Sequence, residues 1–256
     1  MLEYRENAVY DYIANNNLDY FYCVENNWIL VYGNAQSIPK ILAFVSKVDD
    51  INSKLSPEEQ ASFDKSKNIA GYFNLPFICV RYMVNSMMVS VWQSRTESWR
   101  RLSYDQLRDL YEEYGVGQPG TVRKAVNQYV SSTYHDWQRN NLGSITVSDL
   151  DLIKCRNNHV EQIIELKRSK KSLAGWMPYA EDYSNFALLI NTIVASRKNI
   201  SFTIFYNLMK DGQIGYREED ISKIKVFDFS IPDSFVNCQQ INFAERGIFS
   251  LAELLN

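Results

Sequence analysis

The pattern of apolar and polar positions predicts alternating strands and helices along the chain. In the first half, apolar runs of strand length and a helical pattern at 103–114 alternate with turn residues. The predicted strands there are 28–32, 40–47, 75–82 and 87–92, with the end of a helix at 68–73. This part is therefore expected to be α/β.

The second half has a clearer order of elements. From Thr121, apolar residues recur at helical spacing and predict a helix of about 15 to 18 residues. Segments 145–155 and 160–168 have the pattern of two strands joined by a short turn, which predicts a hairpin. A helix at 183–194 and strands at 200–208 and 223–229 follow. Helix, hairpin, helix, strand, strand predicts an α/β fold with a mixed β-sheet flanked by helices.

The stretch Gly-Val-Gly-Gln-Pro-Gly at 115–120 is the clearest interruption in the pattern. It matches a dinucleotide-binding glycine pattern, but a charged helix precedes it where such a site needs a strand. A linker or a helix-capping turn is favoured instead. We therefore predict an N-terminal α/β domain at 1–118 and a second domain at 119–256.

Composition narrows the class of protein. The chain has 256 residues, of which 46% are hydrophobic and 14% aromatic, as expected of an ordered globular protein. The N-terminus lacks the basic start and apolar run of a signal peptide, and no apolar stretch could span a membrane, so a cytoplasmic location without membrane contact is expected.

The four cysteines lack metal-ligand spacing and are expected to be buried free thiols. Two histidines give a Ser-His-Asp, Cys-His or zinc hydrolase little to build on.

Acidic residues and a lysine recur on one face of the predicted hairpin. Alternation puts Asp149 and Asp151 on one side of their strand, and Glu165 and Lys167 on one side of the next. With a turn at 157–159, Asp151 lies opposite Glu165 and Asp149 opposite Lys167. Opposed carboxylates about 5 Å apart can bind one hard cation, so Asp151 and Glu165 are predicted to bind Mg²⁺ or Mn²⁺. Lys167 would support the attacking water.

An acid at the end of one strand and an acid-x-Lys on the next resembles the PD-(D/E)xK nuclease superfamily. Asp151, Glu165 and Lys167 match that motif one by one, and the resemblance covers roughly 119–230. It implies a restriction-endonuclease-like core, a mixed sheet flanked by helices, and metal-dependent hydrolysis of phosphodiesters. The proline that precedes the first acid in the family is absent here. Asp149 and Asp151 are therefore both eligible, and the predicted register favours Asp151.

The resemblance also directs attention to the helix before the hairpin, from which members of the family often take a further ligand. Helical geometry predicts Asp136 at the edge of the apolar face and His135 towards solvent, so Asp136 is the better candidate of the two. A local cluster of basic residues is expected to contact nucleic acid. Its members are Lys154, Arg156, Arg168, Lys170 and Lys171.

The sequence therefore predicts a Mg²⁺-dependent endonuclease, a phosphodiester hydrolase that binds DNA rather than RNA. A restriction or phage-defence setting follows by analogy. Symmetric cutting of duplex DNA would favour a homodimer. The alternatives are an RNA-directed nuclease and a non-catalytic nucleic-acid-binding or assembly protein, in which Glu165 and Lys167 are an ordinary surface pair.

The N-terminal half shows a weaker form of the same order of elements. If it is a degenerate copy of the nuclease unit, Ala43 and Val45 occupy the places of Glu165 and Lys167, and the copy is catalytically inactive. The alternative is an unrelated α/β domain. In either case this half would bind substrate, a partner or a second copy of the chain.

Overall fold

The computed structural model describes residues 7–23, 26–117, 133–156, 159–211 and 217–255. Within them the chain forms two mixed six-stranded sheets flanked by six α-helices, which confirms the predicted α/β class. The first half contains α1 (Ala8–Asn15), β1 (Tyr20–Phe21), β2 (Asn27–Asn34), β3 (Pro39–Lys47), α2 (Pro57–Tyr72), β4 (Phe77–Tyr82), β5 (Met88–Gln93), β6 (Ser98–Ser103) and α3 (Tyr104–Glu113). The second half contains α4 (Thr133–Asn141), β7 (Ile145–Asp149), β8 (Leu152–Arg156), β9 (His159–Ser169), α5 (Tyr183–Ser196), β10 (Ser201–Asp211), β11 (Arg217–Phe229), β12 (Phe243–Phe249) and α6 (Leu251–Leu255).

The two sheets have the same strand order. The first is β6-β5-β4-β3-β2-β7 and the second is β12-β11-β10-β9-β8-β1. In the first sheet β3 and β4 are parallel and α2 connects them, whereas the other neighbouring strands are antiparallel. In the second sheet β9 and β10 are the parallel pair and α5 connects them. The two halves therefore repeat one topology.

The halves exchange their first strands. β1 precedes the first sheet along the chain but pairs with β8 of the second, and β7 pairs with β2 of the first. Each sheet thus takes one strand from the other side of the predicted boundary at 118/119. Of the predicted helix that begins at Thr121, the part before Thr133 lies outside the described residues, as does most of the glycine-containing stretch.

The sheets and helices are stacked in layers around three apolar clusters. The central cluster lies between the sheets and contains α2 and α5, with Phe63 and Phe186 among its buried residues. On the outer face of the first sheet lie α3 and α4, and on that of the second lie α1 and α6. Helices on both faces explain why Ile41 through Val45 form a continuous buried run in β3.

The prediction of a single strand at 145–155 is wrong, because the strand is interrupted at Leu150 and Asp151, which separate β7 from β8. Leu150 is buried in the central cluster, and its N–H donates to the carbonyl of Ile29 at 2.9 Å. Residues before the break pair in the first sheet, and residues after it pair in the second. Apolar alternation continues through the break, so periodicity alone could not locate it.

One smaller expectation also changes. Cys23, Cys79 and Cys155 are buried free thiols, but Cys238 is exposed, so the prediction of four buried thiols is wrong for that residue. None of the helices in the described part of the chain has the length and apolar character needed to cross a bilayer.

Candidate active site

The β8–β9 hairpin places Asp151 beside Glu165. Leu152 pairs with Ile164 and Ile153 with Ile163, which is the predicted register. The predicted turn at 157–159 is wrong, because His159 pairs with Arg156, and a register shift between Lys154 and Cys155 restores the predicted pairs. Asp151 stands one position beyond this ladder, and its Oδ2 accepts the N–H of Leu166 at 2.9 Å. The carboxylate thus takes the place of a strand partner at the end of the hairpin, so Asp151 is fixed relative to β9.

The side chain of Glu165 is buried and only partly paired. It retains 7% of its accessible surface, and its Oε1 lies 2.9 Å from Nζ of Lys167. Its Oε2 is buried and has no hydrogen-bond partner among the described residues. Leaving a buried polar group unsatisfied costs about 1–3 kcal/mol, and more for a charged group. Such an oxygen indicates a place for a ligand that is not part of the chain.

Lys167 connects the hairpin to α5. Its Nζ lies 2.9 Å from Glu165 and 3.5 Å from Oδ2 of Asp182, and 5.8 Å from the ring centre of Phe186 in α5. Burial opposes protonation of Lys167, but the carboxylates of Glu165 and Asp182 outweigh it and raise its pKa. The ammonium therefore keeps its charge next to the carboxylates.

Asp182 is a site residue that sequence reasoning missed. It stands at the N-cap position of α5, yet its side chain makes no capping hydrogen bond and interacts with Lys167 instead. An acid just before a helix is ordinarily interpreted as a cap, which hides a role elsewhere. The available signal was the position of Asp182 at the start of the helix that follows the acid-x-Lys strand.

Burial and neighbouring carboxylates disfavour the charged forms of both central carboxyl groups. The pKa of Asp151 is raised well above its usual range, first by burial and then by the nearby carboxylates of Glu165 and Asp149. Burial also raises the pKa of Glu165, although Lys167 partly offsets the effect. A cation bound between these oxygens would offset both the cost of burying the charged carboxylates and their mutual repulsion.

The carboxylate oxygens of the cluster are suitable ligands for a hard divalent cation that takes only one or two ligands from the protein. Among the described residues, no three His, Cys, Asp or Glu side chains are arranged as a metal-binding group. Mg²⁺ prefers oxygen, keeps several waters and is often bound through one or two carboxylates. Asp151 and Glu165 would supply two oxygen ligands, and water and substrate oxygens would supply the others.

Asp149 is not opposite Lys167, so that part of the predicted register is wrong. Because the strand breaks at Leu150, Asp149 ends β7 in the first sheet, where it pairs with Leu30. Its side chain is exposed, but its charge still raises the pKa of Asp151 and Glu165. The geometry therefore favours Asp151 over Asp149 as the ligand held against Glu165.

The orientations predicted for Asp136 and His135 are reversed in the structure. Tyr134 and Gln138 form the buried side of α4, which leaves Asp136 exposed in an ion pair with Arg139 at 3.5 Å. His135 is half-buried, with its ring edge-on to Trp28 at 5.3 Å. α4 packs on the outer face of the first sheet, whereas the β9 face that carries Glu165 and Lys167 lies against α5 of the second half.

The predicted basic cluster is divided between different surfaces. Lys154 lies 5.6 Å from the ring centre of Tyr20, on the outer side of the second sheet. Arg168 forms a salt bridge with Glu219. Lys171, in the loop after β9, lies 6.0 Å from the ring centre of Tyr179. Lys170, in the same loop, and Arg156, at the end of β8, are both exposed.

Comparisons with known proteins leave the family open. No family model and no curated protein matches the chain. Among solved structures, the chain is similar to the C-terminal domain of the sex pheromone staph-cAM373 precursor from Staphylococcus aureus. That similarity has 9% identity over 86% of this chain and 70% of the other, with a TM-score of 0.15, which is too low to carry any argument.

Proposed function

We propose that the chain is a divalent-metal-dependent nuclease of the PD-(D/E)xK type that hydrolyses phosphodiester bonds in DNA. The observation that carries the proposal is the buried, unpaired Oε2 of Glu165 beside Asp151 and Lys167. Most buried side-chain polar atoms have at least one hydrogen-bond partner, and an unpartnered carboxylate oxygen costs more than an unpartnered hydroxyl, which favours a ligand at Oε2 over a purely structural ion pair. The setting that we propose is restriction or phage defence in the cytoplasm, by analogy with the family.

Each residue of the cluster has a distinct role in the proposal. Asp151 and Glu165 would hold Mg²⁺ or Mn²⁺, which supplies an activated water and neutralises charge on the phosphate. Lys167 places an ammonium 2.9 Å from a ligand oxygen, where it can orient the attacking water and stabilise the charge that develops on phosphorus-bound oxygen. Asp182, at the start of α5, would hold Lys167 in place through its contact with Nζ.

A cleavage assay tests the proposal. Purified protein is incubated with plasmid DNA and Mg²⁺ or Mn²⁺, with an EDTA control and with Glu165→Gln and Lys167→Ala variants. The matched control is Glu161→Gln, four residues earlier on the same strand and half-exposed. We expect metal-dependent cutting by wild type and Glu161→Gln, and losses of about 10²-fold or more in the two site variants.

A non-catalytic nucleic-acid-binding or assembly role is the second candidate. The absence of a three-ligand metal group among the described residues favours it. Equal inactivity of wild type and variants on both plasmid DNA and structured RNA would support this second candidate. Cutting of structured RNA alone would instead identify an RNA-directed nuclease.

A further inference from the structure

The two halves of the chain correspond element by element. Each has the order helix, strand, hairpin, crossover helix, three strands and helix. In each half the first helix and strand are given to the other half, since α1 and β1 join the second sheet and α4 and β7 join the first. This reciprocal exchange is the arrangement of a symmetric dimer with swapped arms, formed here within one chain.

Two features identify the first-half residues that correspond to Glu165 and Lys167: the strand register, and the face of the strand that is turned towards the crossover helix. Glu165 and Lys167 face the crossover helix α5, and they pair with Ile204 and Tyr206 of β10. In β3, the residues that face the crossover helix α2 are Leu42, Phe44 and Ser46, as Leu42 and Phe44 belong to the central cluster.

The parallel pairs match in order. Leu42–Phe77, Phe44–Cys79 and Ser46–Arg81 follow one another in the first sheet, as Ile163–Phe202, Glu165–Ile204 and Lys167–Tyr206 do in the second. Phe44 and Ser46 therefore hold the places of Glu165 and Lys167. The predicted counterparts Ala43 and Val45 are wrong by one residue, because both face away from α2 into the outer cluster.

In the first half, the position that corresponds to the Glu165–Lys167 site is occupied by side chains that cannot bind a metal ion or are already paired. Phe44 is completely buried, and a phenyl ring offers no ligand to a cation. Arg81 beside it is buried and bonded to both carboxylate oxygens of Glu59, at 2.8 and 3.2 Å. Ser56 caps α2 by accepting the N–H of Glu59, whereas Asp182 leaves α5 uncapped and contacts Lys167. Among the described residues at these corresponding places, only Glu165 in the second half has a buried carboxylate oxygen without a hydrogen-bond partner.

We infer that the paired halves replace the predicted homodimer and that each chain has one hydrolytic site, so the protein nicks one strand of duplex DNA. This inference rests on the proposed nuclease function. In each event the oxygen of one water bonds to phosphorus and one phosphorus–oxygen ester bond breaks. One proton of the water passes to the leaving oxygen, which becomes the hydroxyl end, and the other stays on the new phosphate end or passes to solvent.

The products from supercoiled plasmid test the inference. With plasmid in excess of wild-type protein and Mg²⁺ or Mn²⁺ present, supercoiled, open-circular and linear forms are quantified over time. We expect open circles to accumulate first, with linear DNA appearing only after many nicks. Ser46→Ala should cut at the wild-type rate, because Ser46 lies in the filled counterpart, while Lys167→Ala should not cut.

The outcomes distinguish the inference from the proposed function. Linear DNA formed directly from supercoiled DNA, without an open-circular intermediate, would overturn the single-site inference and leave the nuclease proposal intact. A slower second cut in Ser46→Ala would overturn it as well, by assigning chemistry to the first half. No cutting by wild type with either metal would overturn the nuclease proposal, and the inference with it.

Discussion

Nζ of Lys167 lies 2.9 Å from Oε1 of Glu165, two residues earlier on the same face of β9. The ammonium neutralises one oxygen of a buried carboxylate, and Oε2 has no hydrogen-bond partner among the described residues. Asp151, whose pKa is raised by burial and by Glu165, stands across the hairpin. Burial and nearby carboxylates make the charged forms of Asp151 and Glu165 unfavourable, and a bound cation would stabilise them.

Asp182 is expected to position Lys167. Asp182→Asn removes the charge 3.5 Å from Nζ, so we expect cleavage to slow by about 10- to 100-fold with little change in folding stability. Asp182→Glu should recover part of the rate. The measurement is the single-turnover rate on plasmid DNA, with Glu181→Gln as the neighbouring exposed control. Equal rates for Asp182→Asn and Glu181→Gln would remove Asp182 from the site.

Asp151 is expected to reduce stability at neutral pH. Its raised pKa means that the folded state binds a proton more tightly than the unfolded chain, so stability is present at low pH and is lost as pH rises through the folded-state pKa. In metal-free buffer, Asp151→Asn should therefore melt above wild type at pH 7.5, by about 2–4 °C for each kcal/mol gained. The difference should shrink towards pH 4.

Thermal unfolding at several pH values measures this effect of Asp151. Asp149→Asn is the matched control, because the side chain of Asp149 is exposed at the end of β7. A smaller gain is expected there. A lower melting temperature of Asp151→Asn at pH 7.5 would show that the carboxylate of Asp151 is stabilising and would contradict the electrostatic account of the site.

Most elements of the second sheet could be predicted from the sequence, but only some of the site residues could be placed. Apolar periodicity located β9, α5 and β10. The predicted register holds beside Asp151 only because a register shift between Lys154 and Cys155 compensates for the misplaced turn, and no sequence pattern indicated that shift. Apolar periodicity could not show the break at Leu150, because both sides of the break alternate in the same way and no glycine or proline marks it. Because the interruption was missed, Asp149 was wrongly placed opposite Lys167 instead of in the first sheet.

Other features depend on contacts distant in sequence. Asp182 reaches Lys167 only because the crossover returns α5 against the hairpin, and no local pattern encodes that. The counterparts of the site in β3 were misplaced by one position because Ile41 through Val45 are all apolar, so the run does not reveal which residues face α2. Burial on both faces erases the two-residue period.

A buried tyrosine network should make the protein sensitive to alkaline pH. The hydroxyl of Tyr134 bonds to those of Tyr111 at 2.6 Å and Tyr32 at 3.1 Å, and burial raises the pKa of all three. Above pH about 10 the unfolded chain releases protons that the folded state retains, so stability should fall by about 1.4 kcal/mol per pH unit for each group.

Tyr134→Phe isolates one member of this network. We expect it to cost about 1–3 kcal/mol at pH 7, because hydroxyl groups lose a buried partner, and to reduce the slope above pH 10. Urea unfolding as a function of pH measures both quantities, with Tyr179→Phe as a control at a residue that is 40% exposed. An unchanged alkaline slope in Tyr134→Phe would contradict the network account.

The exchanged strands predict that neither half folds alone. A fragment of residues 119–256, the predicted nuclease domain, would lose β1 beside β8 and the first sheet that covers α5 and β7. We expect it to lack a cooperative thermal transition, because the central cluster would be open to water. Differential scanning calorimetry checks this, with the full chain as reference. A sharp transition in the fragment would support an independent domain with its boundary at 118/119.

Metal binding tests the central claim most directly, because it does not depend on the choice of nucleic acid. The measurement is a calorimetric titration of Mn²⁺ into wild type, Glu165→Gln and Glu161→Gln. The account predicts one site per chain in wild type and Glu161→Gln, and its loss in Glu165→Gln, where the unpaired buried oxygen is removed as a charged ligand. No binding by wild type, or equal affinity in Glu165→Gln, would contradict it.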